Sequence, residues 1–172
     1  MIDSIIGGLA RWLHYFFGVM WIGLLYYFNF VQAQALAEAN KNGEGGPISK
    51  YVVPRALDVF RMAAIATWIV GAILLFELSP NHDGFVGAFT LSHGYAGIGI
   101  GAWLGTIMLF NVLFLIYPNQ MKVLGKVPAT DEEKAKARRT AFLASRTNTM
   151  LSVPMLFFMA FGYSHQGVIG GL

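Results

Sequence analysis

Four histidines, His14, His82, His93 and His165, are the side chains in this sequence best suited to chemistry. Neutral imidazole is the commonest protein metal ligand, and two imidazoles from facing helices can clamp a haem iron. The neighbours of two of them suit a flat cofactor. His14, Gly18, Trp21 and Leu25 recur at spacings of four, three and four, so one helical stripe carries a ligand, a gap and an aromatic wall. His93 heads the series Gly97, Gly101 and Gly105, where missing side chains leave room for a macrocycle. The same Gly-x-x-x-Gly spacing is the usual device for close helix packing in lipid, and we read the stripe as packing first. His14 and His93 are therefore the candidate iron ligands, with His165 in reserve and Gly18, Gly97 and Trp21 lining the cofactor. His82 reads as a solvated loop residue, and His165 equally as an interfacial side chain.

These side chains need elements to hold them, and composition says of what kind. Of 172 residues 56% are hydrophobic and 12% charged, about half the charge of an ordinary soluble domain, so water is not the main solvent. The length is that of one domain. Cysteine is absent, which excludes disulfides, thiolate metal sites, thiol nucleophiles and the Cys-x-x-Cys-His attachment of c-type haem; the cofactor expected at the histidines is haem b. The formal charge of +3 does not indicate nucleic acid, because the basic residues sit beside apolar segments rather than on a basic face with interleaved aromatics.

Trp12 to Val31 runs without a charge, about the twenty residues that cross roughly 30 Å of hydrocarbon. Ala33-Gln34-Ala35 resembles a signal-peptide cleavage site, but the apolar stretch is too long and no basic residue precedes Arg11. A second span is uncharged only between Arg61 and Glu77, whose side chains must snorkel. A third runs over about Gly94 to Tyr117, ended by Pro118-Asn119. The fourth follows Thr147. Ahead of it, Thr130 and Glu133 have capping-box spacing, so a helix should start at 131 in the aqueous loop and continue into the membrane. Pro154 inside that helix predicts a kink near residues 150 to 154. The polar, glycine-rich stretch Ala39 to Ser49 reads as a mobile loop. The expectation is an all-α, integral membrane four-helix bundle with spans at about 10–34, 57–79, 94–117 and 141–165, the fourth helix carrying an amphipathic cytoplasmic extension.

Orientation follows from the basic residues. Lys41, Lys50, Arg55 and Arg61 flank the first loop, and Lys122, Lys126, Lys134, Lys136, Arg138, Arg139 and Arg146 the third, leaving only Arg11 elsewhere. Both charged loops should be cytoplasmic and both termini outside, which gathers all four histidines near the outer face. His14, a turn or more into apolar sequence, requires a partner. In the cytoplasmic half, Asp58 with Arg61 at i, i+3, Asn111, and Ser145, Arg146, Asn148 and Ser152 read as structural glue. No nucleophile-base-orienter triad, phosphate loop or paired-carboxylate site is visible.

Three segments carry a family resemblance: Arg11 to Gly23 (RWLHYFFGVMWIG), Asn111 to Gln120 (NVLFLIYPNQ) and Ser145 to Pro154 (SRTNTMLSVP). They resemble the membrane part of the urate oxidase N-terminal domain family. The pattern of His14 followed by Trp21-Ile22-Gly23 is more distantly similar to copper-resistance D proteins and to the bacterial membrane protoporphyrinogen oxidase. The resemblance implies a membrane-bound oxidoreductase module of the bacterial inner membrane, in the urate case coupled to a C-terminal cytochrome c on the periplasmic side. The chain carries Thr147 where the family pattern has histidine. The expected function is a haem-binding or redox-linked membrane subunit, its partners being membrane lipid and other membrane subunits or a separate cytochrome. From a different class, an accessory subunit without chemistry would use the glycine and aromatic faces to pack against a larger membrane complex. A copper site is disfavoured, since the eight methionines are scattered.

Overall fold

A computed structural model of the chain describes residues 2–77 and 81–164. Among these residues every regular element is helical and there is no strand. In chain order they are α1 (Ile2–Tyr26), a π-helical segment Tyr27–Gln32, α2 (Ala33–Lys41), α3 (Gly45–Pro47), a second π segment Ile48–Val52 and α4 (Val53–Glu77). After these come α5 (Gly84–Phe89), α6 (Ala96–Phe110), a third π segment Asn111–Ile116, α7 (Tyr117–Val123) and α8 (Asp131–Ser164).

Three continuous helical stretches, Ile5–Lys41, Gly45–Glu77 and Ala96–Val123, are long and apolar enough to cross a membrane. The first contains the expected span 10–34, the second covers 57–77 of the expected 57–79, whose last two residues lie outside the described ones, and the third covers 96–117 of the expected 94–117. The fourth falls in α8, which is not among them: its apolar part is diluted by Thr147, Asn148, Thr149 and Ser152, and its expected end at 165 lies outside the described residues. Large apolar side chains such as Ile5, Leu9, Trp12 and Phe16 stand exposed along one face of α1, and Trp103, Ile107 and Phe110 along α6. Such faces are stable where hydrocarbon, rather than water, meets them.

Other expectations shift. The stretch Ala39 to Ser49 is not a loop throughout: helix continues to Lys41, the non-helical link is 42–44, and the chain is helical again from Gly45. Backbone bonds from the Gly43 N–H to Asn40 O (3.2 Å) and from the Glu44 N–H to Ala39 O (2.8 Å) close the end of α2, so glycine here shapes a short helix-to-helix turn. The stretch between the second and third spans contains α5, which its uncharged sequence did not distinguish from membrane interior. α8 begins as expected: the Thr130 N–H donates to Glu133 Oε2 (2.8 Å), and the Glu133 N–H donates to Thr130 Oγ1 (3.2 Å). Pro154 lies inside α8, which runs on to Ser164.

The chain divides into two compact units. Of the described residues, the first holds 2–17, 65–77, 81–109 and 150–164. Here Leu75, Ala88 and Ala102 form a buried cluster, with Phe85, Phe89 and Ile98 packed against it, which explains how the six-residue α5 is held. The Trp103 indole N–H donates to Phe89 O (3.1 Å), and that of Trp68 to Thr106 Oγ1 (2.9 Å). Each apolar ring thereby has its polar atom satisfied.

The second unit comprises residues 18–64 and 110–149. Its interior is written at helical spacing: Val53, Leu57, Phe60 and Ala64 on one helix, and Ala137, Ala141, Ala144 and Asn148 on α8. The Phe28 ring meets Phe60 edge-on, with centroids 5.4 Å apart. Two π segments carry asparagines that reach α8. Asn111 donates to Asn148 Oδ1 (2.8 Å), and Asn29 to Ser145 Oγ (2.8 Å). A π turn alters the helical register, and in both cases an amide is directed at a polar partner in an otherwise apolar interior.

Candidate functional site

His14 sits in α1, within the first unit. Its Nδ1 lies 3.0 Å from the main-chain oxygen of Thr67 on α4. A carbonyl only accepts, so Nδ1 carries the proton. In the neutral ring Nε2 then holds the lone pair, the tautomer a metal ligand needs. The Thr67 oxygen has a second lone pair for this bond beside its place in the α4 ladder. One turn further along α4 stands Gly71. A Cβ placed there would lie 2.9 Å from His14 Cε1 and 3.2 Å from Nδ1. Glycine at 71 is thus a requirement of the imidazole, a signal that no local pattern around position 14 contains.

His93 differs in position from the expectation that it heads the third helix. It is exposed in the turn of residues 93–95, and α6 starts only at Ala96. The turn is made by Gly94, whose φ of +85° lies in the left-handed region that glycine adopts without strain. No described contact joins His93 to His14. His165 lies outside the described residues. His82 is exposed and stacks on Phe76, with ring centroids 4.7 Å apart and planes at 11°, while its Nδ1 lies 3.3 Å from Phe76 O. It closes the end of α4, a structural employment.

The remaining expected cofactor residues separate. Gly97 is buried in the first unit, where its stripe-mate Gly101 would bring a Cβ within 3.3 Å of the Met159 backbone, a packing contact between helices. Gly105, also buried, has nothing within 4 Å of such a Cβ. Packing therefore accounts for one member of the stripe and leaves open space at another. Gly18 and Trp21 belong to the second unit. Trp21 is buried, and its indole N–H has no hydrogen-bond partner among the described residues. Among the described residues no three His, Asp or Glu side chains are grouped to hold a metal ion. Among the described residues His14 suits one ligand position and no second ligand is brought to it.

The polar set of Asp58, Arg61, Asn111, Ser145, Arg146, Asn148 and Ser152 is split by the fold. Asp58 and Arg61 form the expected pair at a loose 3.9 Å, but the closer contact is from the Tyr117 hydroxyl, which donates to Asp58 Oδ1 at 2.8 Å. The Arg61 guanidinium lies 4.1 Å from the centre of the same tyrosine ring. Sequence reading missed Tyr117, whose distance in sequence from Asp58 gives no local signal. Asn148 and Ser152 are buried, whereas Arg146 is exposed, its guanidinium 5.2 Å from the Phe142 ring centre.

Comparisons with curated proteins and with solved structures return no match. The family model described as urate oxidase N-terminal matches residues 84–167, which include Asn111 to Gln120 and Ser145 to Pro154, two of the three segments that carry the resemblance. From α5 into the C-terminal part of α8, this chain is a partial-length match to the urate oxidase N-terminal family.

Proposed function

We propose that the chain is a membrane-embedded redox subunit in which His14 is the ligand residue for haem b. The observation that carries this is the His14 to Thr67 hydrogen bond at 3.0 Å, which fixes the ring tautomer with Nε2 as the lone-pair nitrogen. An imidazole in an apolar helix needs a reason, and Gly71 on α4 leaves space for this one. The haem, when bound, would supply one-electron transfer. The chain's residues would set the ligand's tautomer and orientation and keep water away with the surrounding apolar side chains. His93, exposed ahead of α6, is the second candidate ligand.

The same proposal includes a four-helix membrane bundle with both termini periplasmic and both basic loops cytoplasmic, in a bacterial inner membrane. Its support is the distribution of charge, eleven of the twelve Lys and Arg residues lying in or flanking two loops. Partners would be other membrane subunits or a separate cytochrome. The accessory reading is favoured by a separate observation, the exposed position of His93 away from any helix.

The visible spectrum of the purified protein, oxidised and dithionite-reduced, separates the two. The expected result is a Soret band that sharpens on reduction and is lost in His14→Ala. A featureless spectrum from membranes with an adequate haem supply would overturn the redox proposal and leave the accessory role.

A further inference from the structure

The N-terminal part of α8 carries a face that the cofactor proposal does not use. Ala137, Ala141, Ala144 and Asn148 are buried, so the opposite side of the helix is directed away from the protein. That side carries Arg138, Arg139, Phe142, Leu143 and Arg146, all exposed. Arg138, Phe142 and Arg146 are spaced i, i+4, i+8, and Arg139, Leu143 and Arg146 i, i+4, i+7. The result is one face on which three guanidinium groups frame two apolar side chains over about 12 Å of helix. Phe142 and Leu143 are 47% and 53% exposed, which in water would be unfavourable for two large apolar side chains on a charged helix.

Charge on this face is not neutralised within the chain. Among the described residues none of Arg138, Arg139 and Arg146 forms an ion pair. Of the acids in the first turn, Asp131 lies 3.8 Å from Lys134 and Glu133 closes the cap with Thr130. Arg146 instead lies over the Phe142 ring, an arrangement in which one side of the guanidinium is covered by an aromatic and its N–H edges remain available. Arginine's planar fork matches a phosphodiester, and an adjacent aromatic and leucine match the glycerol and upper acyl region.

We infer that this face of α8 binds the headgroup of an anionic phospholipid, with Arg138, Arg139 and Arg146 on the phosphodiester and Phe142 and Leu143 against the top of the acyl chains. It rests on the membrane placement of the chain and is independent of His14 and of any cofactor. A juxtamembrane cluster of this kind attracts anionic lipid and holds the helix at headgroup depth.

The test is native mass spectrometry of the full chain in detergent, titrated with phosphatidylglycerol or phosphatidylcholine. The expected result is preferential retention of phosphatidylglycerol, falling by about fivefold for each arginine replaced in R138Q, R139Q and R146Q, on the usual contribution of a basic residue near a membrane surface. The triple lysine variant R138K/R139K/R146K should keep part of the preference, and K41Q/K50Q on the other basic loop all of it. Helicity by circular dichroism, unchanged in the glutamine variants, ties the loss to the face rather than to unfolding. Equal retention of the two lipids by the native chain, or an undiminished preference in R138Q/R139Q/R146Q, would overturn the inference. So would inorganic phosphate competing as well as the lipid.

Discussion

The Nδ1 atom of His14 and the main-chain oxygen of Thr67 are 3.0 Å apart, joining residues 53 positions distant in sequence. The bond satisfies one nitrogen of a polar side chain in an apolar helix and sets the tautomer of the other. It depends on the missing side chain at Gly71, since an alanine there would press on the ring.

Gly71→Ala should therefore destabilise the protein by about 1–3 kcal/mol, the usual cost of overpacking. Removing the ring should relieve that strain, so Gly71→Ala should cost much less in a His14→Ala background. Thermal unfolding of the four proteins of this cycle in detergent measures the coupling. Simple additivity of the two changes would contradict the packing described here.

The buried Asn111 to Asn148 bond should contribute in the range of ~0.5–2 kcal/mol, as interhelical amide bonds do in membranes. Asn148→Ala leaves the Asn111 amide without this partner. Replacing both by leucine should cost less than either single alanine change, because neither member of this bond is left facing a missing partner. Melting temperatures that rank the double leucine variant lowest would count against the bond as the stabilising element.

The cap of α8 should respond to acid. Hydrogen bonds from the Thr130 backbone and side chain hold the Glu133 carboxyl below its ordinary pKa. A depressed folded-state value means that the cap's contribution is present above the unfolded pKa and is lost as pH falls through the lower, folded value. The protection of the amides of residues 130–134, taken relative to the intrinsic exchange rate at each pH, should fall as the pH is lowered below the ordinary glutamate range. Glu133→Gln should remove that pH dependence, and retention of it would show that another group is responsible.

The proposed topology has a clean assay because the chain has no cysteine. Single cysteines at exposed positions, Glu44→Cys, Ala135→Cys and Asn81→Cys, can be labelled in intact cells with a membrane-impermeant maleimide. Asn81→Cys should label from outside, and the other two only after permeabilisation. External labelling at 135 would reverse the orientation.

How legible each feature was depended on how local its cause is. The start of α8 could be read because a capping box is a contact between residues three apart, and Thr130 and Glu133 make it. That three stretches are apolar enough to cross a membrane follows from composition, whereas the helices themselves run further, as Ile5–Lys41, Gly45–Glu77 and Ala96–Val123. α5 could not be read, because its six uncharged residues look like membrane interior until Ala88 is packed with Leu75 and Ala102. α6 starts two residues beyond the expected Gly94 because Gly94 turns the chain there, leaving His93 outside the helix.

The sequence by itself determined that the chain is helical, apolar enough for a membrane and related over residues 84–167 to the urate oxidase N-terminal family. It also singled out His14 as a polar group that needed a partner. Which partner was a matter for the tertiary structure, since a backbone carbonyl carries no residue identity and the space for the ring is set by Gly71 on another helix. Likewise the separation of Arg146 from Asn148 and Ser152 was decided only when α8 had one face buried and the other exposed. Periodicity fixes which residues share a face, and packing fixes which face is turned inward.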